Sequence, residues 1–459
     1  MNDRFELVEK ALLKMLEQKK YAALRDILVT MNPVDVAGLF DVLEEKQIPI
    51  LYRLLPKELA AETFVEMEPE AQELLIRGFS DSELREVLDE LYVDDAADLV
   101  EEMPATVVRR ILQQADPEMR SSINQILRYP ENSAGSLMTT EYVSLRAKMT
   151  VGEAILRIRR TGVDKETIYT CYVIDDNRIL LGLVTVKDLL LALDDDTPIE
   201  SIMETNFVCV TTQDDQELVA QTFSKYDLLA LPVVDGESRM VGIVTFDDAM
   251  DVMEDETTED MEIMAGMLPS EKDYIHASIF DLFKQRIPWL MLLMVSATFT
   301  GVIIQSFEDA LAAQVALTAF IPMLMDTGGN SGSQSSVTVI RALSLNELRF
   351  SDLPKVIWKE IRTAVCCALV LAVACFGKIM LVDRLLMGNA AVTPMVALVV
   401  CVTLACTVCV AKFVGCVLPM VAKRLGFDPA VMASPFITTI VDALSLLLYF
   451  TFAKAMLGL

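Results

Sequence analysis

The chain has 459 residues, 53% of them apolar, with nine cysteines, one histidine and a formal net charge of −28. Acidity on that scale excludes nucleic acid, whose binding is built on Lys and Arg that neutralise phosphate, and makes cations the better partner. Residues 281–459 carry 13 Lys+Arg against 10 Asp+Glu, a balance of +3 that leaves −31 for residues 1–280, so an acidic soluble region is joined to an apolar membrane region.

The first segment (MNDRFELVEK) is charged and has no apolar h-region, so no cleaved signal peptide is expected and the acidic region should stay in the cytoplasm. From residue 5 to about 130, apolar residues recur at three- and four-residue steps between breaks at Pro or Asp-Asp, which predicts helix throughout. A repeat of about 24 residues runs through NPVDVAGLFDVL from Asn32, PKELAAETFVEM from Pro56 and SDSELREVLDEL from Ser80. Stacked helix pairs in a small superhelix are the natural solution.

Residues 137 to about 260 hold a clearer duplication with an offset of 60 residues. Gly182-Leu183-Val184-Thr185-Val186-Lys187-Asp188 aligns with Gly242-Ile243-Val244-Thr245-Phe246-Asp247-Asp248, each after a β-rich run, CYVID from Cys171 and LPVVD from Leu231. Turn, buried strand and helix start follow one another, with Asp188 or Asp248 in the first helical turn.

Five membrane spans are predicted near 287–307, 311–340, 362–382, 392–420 and 430–453. The second is uneven, because Asp326-Thr327-Gly328-Gly329-Asn330-Ser331-Gly332-Ser333-Gln334-Ser335-Ser336 is polar and glycine-rich. Such a segment at membrane depth must be buried in protein or face a cavity. Lys284 and Arg286 precede the first span, Arg341, Arg349, Lys355, Lys359 and Arg362 lie between the second and third, and Lys423 and Arg424 between the fourth and fifth. The other side holds Lys378, Arg384 and Lys454, which predicts the amino terminus inside and the carboxyl terminus outside.

Asp442 stands alone near the middle of the last apolar stretch. A carboxylate there costs about 2.5–3.5 kcal/mol on insertion scales, so it should face a watery, protein-lined path. Magnesium keeps most of its waters and is held by one or two carboxylates, so one Asp442 from each of two chains on a two-fold axis would suffice. An Asp that bonds helices together or relays protons is the other reading. Acidic residues also crowd at Asp247, Asp248, Asp251, Glu254, Asp255, Glu256, Glu259 and Asp260, and at Asp94, Asp95 and Asp98. A divalent ion bridging them would draw elements together in proportion to its concentration, and a solvated acidic face is the alternative.

No enzyme constellation survives. Gly329-Asn330-Ser331-Gly332 matches the G-x-S-G of rhomboid-type intramembrane proteases, but the single histidine, His276, precedes the first span. No second well-buried membrane acid accompanies Asp442 for an aspartyl protease, and no G-x-x-x-x-G-K-[ST] loop exists. Cys406 and Cys409 have C-x-x-C spacing inside a membrane helix, where small polarizable side chains pack.

The duplicated unit, with its Leu137-Met138-Thr139 and Ile202-Met203-Glu204 openings, resembles a tandem pair of cystathionine-β-synthase (CBS) modules. In full order the chain resembles the MgtE family of magnesium channels or transporters, most specifically in Thr327-Gly328-Gly329-Asn330-Ser331-Gly332-Ser333-Gln334-Ser335, in Asp428-Pro429-Ala430 and in Asp442. The resemblance implies a multidomain membrane protein: an all-α superhelical domain (1–130), an α/β CBS pair (131–260), an acidic connecting plug helix (261–285) and a five-helix transmembrane pore domain (286–459). It implies a homodimer in which Asp442 and the polar stretch with Asn330 line the pore. Glu62, Asp94, Asp227, Asp248, Asp251, Glu256, Glu259 and Asp260 would bind intracellular Mg2+ and close it. The family usually has Asn where Ser333 and Ser434 stand. CBS pairs often bind ATP or another adenine nucleotide, and Thr185, Asp188, Thr245 and Asp248 stand where ribose contacts would fall. The expected function is a magnesium-selective channel of the cytoplasmic membrane, driven by the electrochemical gradient. Its rivals are a proton- or sodium-coupled divalent-cation exchanger and a nucleotide-sensing membrane receptor.

Overall fold

The computed structural model describes residues 10–16, 18–270, 274 and 277–458, apart from the side chain of Ser434; His276 lies outside the described residues. The chain forms two compact units, Met1–Met253 and Glu254–Leu459.

The first unit begins with short helices. Those starting at Pro33, Lys57, Asp81 and Ala105 step by 24 residues, as do those starting at Pro69, Val93 and Pro117. Three of these starts carry side-chain caps: Asn32 and Asp116 cap with a following proline, and Ser80 and Glu83 form a reciprocal capping box. Helices of 8–10 residues are not stable alone in water, so packing must hold them. Pro33–Phe40 packs on α1 (Lys57–Val65), which packs on Asp81–Leu88, which packs on Ala105–Gln114, around Leu24, Phe40, Phe64, Leu84 and Ile111. Helix α2 (Val93–Glu102) turns its apolar face inward, and Val93, Ala97 and Ile126 form a smaller cluster.

Two three-stranded sheets follow: β1 (Tyr142–Leu145), β2 (Thr167–Ile174) and β3 (Leu180–Thr185), then β4 (Val210–Thr211), β5 (Ala230–Val234) and β6 (Met240–Thr245). In each, the first strand runs parallel to the second and the second antiparallel to the third. The 60-residue offset is visible in the register, where Thr170 pairs with Thr185 and Ala230 with Thr245. The opening segments cross between modules: Thr139 bridges to Ile243 in β6 and Glu204 to Leu183 in β3. Helix α3 (Phe246–Met264) starts directly after β6, so the acidic helix lies at 246–264 and not at 261–285. Gly266, at φ +74°, and Pro269 follow its end.

The second unit holds α4 (Ile279–Ser306), α5 (Ile321–Ser344), α6 (Leu353–Lys378), α7 (Pro394–Arg424) and α8 (Ser434–Leu457). Among the described residues, four segments are long and apolar enough to cross a membrane: Ile279–Ser306, Phe350–Leu386, Pro394–Arg424 and Pro429–Leu457. The expected span at 311–340 is different in kind. Its first part breaks into a short helix (Glu308–Ala313) and a 3-10 turn (Val315–Phe320) around Gln314, whose amide donates to Ala391 O at 3.1 Å. Only then does α5 run unbroken through the whole glycine-rich stretch. The expected span at 362–382 is also longer, continuing α6 through a π-helical turn, Ile379–Leu386.

Helix α5 packs on both α7 and α8, and it buries its glycines and hydroxyls: Gly328, Gly329, Ser331, Gly332, Ser335 and Ser336. The close approach explains the residue type. A Cβ on Gly332 would stand 2.7 Å from Ile437 Cγ2, and one on Gly415 of α7 would collide with the Gly332 carbonyl. Gly415→Ala should therefore push α7 off α5 and lower the stability of this unit by about 1–3 kcal/mol, the usual range for overpacking. Thermal unfolding in detergent reads the shift.

Candidate functional site

Asp442 lies half-buried on α8. It is one turn beyond Thr438, whose side chain is 3.0 Å from where a Gly329 Cβ would be, so α5 and α8 run against each other at this level. On α5, Asp326 and Asn330 are one turn apart on an exposed face, and the Asn330 amide donates to Asp326 Oδ1 at 3.0 Å. The Asp326 carboxylate is within electrostatic reach of Asp442. Asn330 is thus bonded to an acid that lies within electrostatic reach of Asp442, an acid that in the sequence is one member of a polar run.

A second polar group lies behind this face. Ser335 Oγ donates to Glu360 Oε2 of α6 at 2.6 Å, Lys412 Nζ of α7 donates to Ser335 Oγ at 3.2 Å, and the Lys412 and Glu360 charges are 4.0 Å apart. Lys412 is only 5% exposed. Ser336 Oγ donates to Met432 O at 2.8 Å, so the hydroxyls that α5 buries here are satisfied from neighbouring elements. Lys412 is a lone cation within an apolar run, a signal present in the sequence, but its partner stands 52 positions earlier.

At the end of α5, Ser344 Oγ donates to Asp260 Oδ2 of α3 at 3.2 Å, and Lys423 Nζ donates to Leu343 O at 2.8 Å. Ile263 and Met264 of α3 pack on Ile340, Ala430 and Ala433. Burial, then the Asp428 carboxylate, push Asp260 above the usual carboxylate range, against the Ser344 hydroxyl and the Lys423 charge. Asp428 itself caps the turn Pro429–Met432, accepting from the Ala430 N–H at 2.7 Å.

In the first unit, α2 and the start of α3 bring like charges together. Asp94 is 8% exposed and its Oδ1 is buried without a hydrogen-bond partner among the described residues. Burial first, then Asp95, Asp248 and Glu166, push its carboxyl well up. Burial also leads for Asp95, pushed up to about 6 with Asp248 beside it, and for Asp98, pushed up to about 7 with Asp95 beside it. Glu166 is pushed up to about 8 by burial and then by Asp95, Asp248 and Asp247. Asp248 is raised by burial, although Thr245 donates to it from both hydroxyl and backbone. Uncompensated carboxylates packed this closely are a chemistry that a divalent cation with its own waters fits.

The expected regulatory set is only partly brought together. Asp94, Asp248 and Asp251 join the acidic group, the last through Glu66. Glu62 is exposed, and Glu66, one turn on, is the acid at this end of α1 within reach of Asp247 and Asp251. Asp227 is exposed and forms the left-handed C-cap of helix Gln216–Tyr226, at φ 53°. Glu256 is half-buried and Glu259 exposed on the second half of α3. Among the described residues, no three His, Cys, Asp or Glu side chains close around one metal position. Glu66 and Glu166 were missed because nothing local distinguishes them from other surface acids. Thr185 and Asp188 form an exposed capping box at the end of β3, whereas Thr245, in the equivalent box, is buried.

Comparison with known proteins follows this division. Residues 321–452 match the MgtE family model, described as a divalent cation transporter, residues 31–132 match the MgtE intracellular N domain, and 134–195 and 199–255 each match the CBS domain. The chain is 37% identical over 456 residues to the magnesium transporter MgtE of Thermus thermophilus, covering 98% of this chain and 99% of that protein. The magnesium transporter MgtE of Bacillus subtilis is 31% identical over 451 residues, covering 98% and 97%. Among solved structures, the cytosolic domain of the Mg2+ channel MgtE in complex with ATP is similar at 40% identity and a TM-score of 0.51, covering 53% of this chain and 99% of that one.

Two outcomes follow from the geometry. Lys412→Met should cost about 3–5 kcal/mol of stability by leaving Glu360 buried and unpaired. Lys412→Met with Glu360→Gln should recover most of it, as thermal unfolding of single and double variants will read. The acids on α2 and Glu166 hold protons in the folded unit at pH values where the unfolded chain, with carboxyl values of about 4, has released them. Stability of the first unit should therefore fall as pH rises from about 5 through 8, and Asp98→Asn should flatten that dependence.

Proposed function

Because the chain belongs to the MgtE family of magnesium transporters, we propose that it is a homodimeric, magnesium-selective channel closed by intracellular Mg2+. The observation that carries the reading is Asp442 within electrostatic reach of Asp326, which is bonded to Asn330, on two packed helices of an otherwise apolar bundle. All five long helices of the second unit cross the membrane, α5 as the polar member enclosed by α7 and α8, with the amino terminus inside and the carboxyl terminus outside. In the dimer, Asp442 of each chain faces the two-fold axis, and the pair holds a hydrated ion through its waters, with Asn330 contributing an amide oxygen. The inside-negative potential supplies about 2.3 kcal/mol per charge per 100 mV, so a divalent ion needs no other energy source. Closure is then required, since a permanently open cation path would dissipate that potential.

Closure acts through the acids of α2 and α3. Asp94, Asp248 and Asp251, with Glu66 and Glu166 beside them, repel one another without a cation, and Mg2+ would remove that repulsion in proportion to its concentration. Glu62, Asp227, Glu256 and Glu259 would complete the set only through a rearrangement or a second chain, whereas Asp260 acts at the end of α5 through Ser344. ATP is a regulatory ligand by similarity to the ATP-bound relative, and the exposed Thr185–Asp188 pair is the better placed of the two candidate ribose sites.

Magnesium entry into liposomes, with no proton or sodium gradient, tests the reading. Entry should be fast, lost in Asp442→Asn and suppressed by millimolar Mg2+ on the face bearing the acidic unit. Entry that starts only when a proton or sodium gradient is applied would make the protein an exchanger, and none under any gradient would make it a receptor.

A further inference from the structure

Three sulfur-bearing side chains from three helices share one apolar cluster near the end of the bundle where α5 begins, α6 ends and α7 begins. The Cys375 thiol of α6 approaches Met323 Sδ of α5 at 4.0 Å, and Cys401 of α7 is buried in the same apolar cluster. Cys375 is 7% exposed and Cys401 6%, both within the apolar cluster that also holds Leu324 and Ile379, with Met323 packed against it. Nothing in the ion path described above uses them.

The spacing suits a soft metal. A metal about 2.3 Å from each of three sulfurs in one plane separates those sulfurs by about 4.0 Å, which is the Cys375–Met323 distance. Two thiolates and a thioether select soft cations and offer nothing to magnesium, a hard cation that takes oxygen. The same thiols could form a disulfide, but that bond needs an oxidant and leaves Met323 unused. We propose that Cys375, Cys401 and Met323 form a binding site for a soft monovalent cation, Cu(I) or Ag(I). On binding, both thiols release their protons to solvent, two metal–thiolate bonds form and Met323 completes the ligand set, with no change of oxidation state.

Occupancy would also be felt at the path. Met323 lies three residues before Asp326 on α5, so the metal ties the start of this helix to α6 and α7 one turn from the acid beside Asp442. The site should therefore act as a brake on transport. That consequence rests on the channel reading, whereas binding does not.

The experiment titrates the whole chain in detergent with Ag(I) against a competing chelator, together with Cys375→Ser, Cys401→Ser and Met323→Leu. Wild type should bind one more Ag(I) per chain than either cysteine variant, and Met323→Leu, which conserves volume, should weaken that site about tenfold. Equal stoichiometry in wild type and both cysteine variants would overturn the proposal. So would a Cys375–Cys401 disulfide in the purified protein. Should a serine variant fail to fold, unchanged affinity in Met323→Leu would still overturn it. Magnesium flux in liposomes should fall at least fivefold with Ag(I) in wild type and not in Cys401→Ser. If wild type carries no flux at all, the channel reading fails while the binding result stands.

Discussion

A helix rich in glycine and hydroxyls can stand inside an apolar bundle only if its neighbours come close enough to exclude lipid and also supply its hydrogen bonds. The second unit depends on that constraint. The glycines of α5 let α7 and α8 approach to backbone contact at Gly415 and to side-chain contact at Thr438 and Ile437. Of the hydroxyls that then become buried, Ser335 finds Glu360 and Ser336 finds the Met432 carbonyl. Without the close approach, Asp326 and Asn330 would not share a level with Asp442; without the hydrogen bonds, each buried hydroxyl would cost about 1–3 kcal/mol.

Lys412 and Glu360 extend this logic to charge. A buried ion pair seldom stabilises more than an apolar pair of equal volume would, because desolvation offsets the attraction. What it does supply is geometry: Ser335 is bonded from two sides, by an acceptor on α6 and a donor on α7, and that leaves α5 little freedom to rotate. The face carrying Asp326 and Asn330 is set by contacts on the opposite face of the same helix.

Much of this was legible in the sequence because it is periodic or anomalous. The 24-residue step fell on helix starts marked by proline and caps, and the 60-residue offset fell on matched strand registers. Asp442 stood out as a charge where charge is expensive. What escaped was relational. Asp326 looked like one more polar residue until its neighbour on α8 was known, and Glu66 and Glu62 differ by a turn that only the packing of α1 decides. Lys412 was visible as an anomaly but could not be read without its partner on another helix. The expected span at 311–340 was misjudged at its start because an apolar run does not reveal a break such as that at Gln314.

The two units solve opposite electrostatic problems. In the bundle the buried Lys412 and Glu360 compensate each other through Ser335, and that part of the arrangement is set by the chain alone. In the first unit the buried acids of α2 face further acids, and Asp94 Oδ1 has no hydrogen-bond partner among the described residues. Such an arrangement is held together by packing against its own repulsion, so its stability varies with protons or cations in solution. Helix α3 contributes to both: Asp248 joins the acidic group through its first turn, and Asp260, Ile263 and Met264 meet the end of α5 through its last turns.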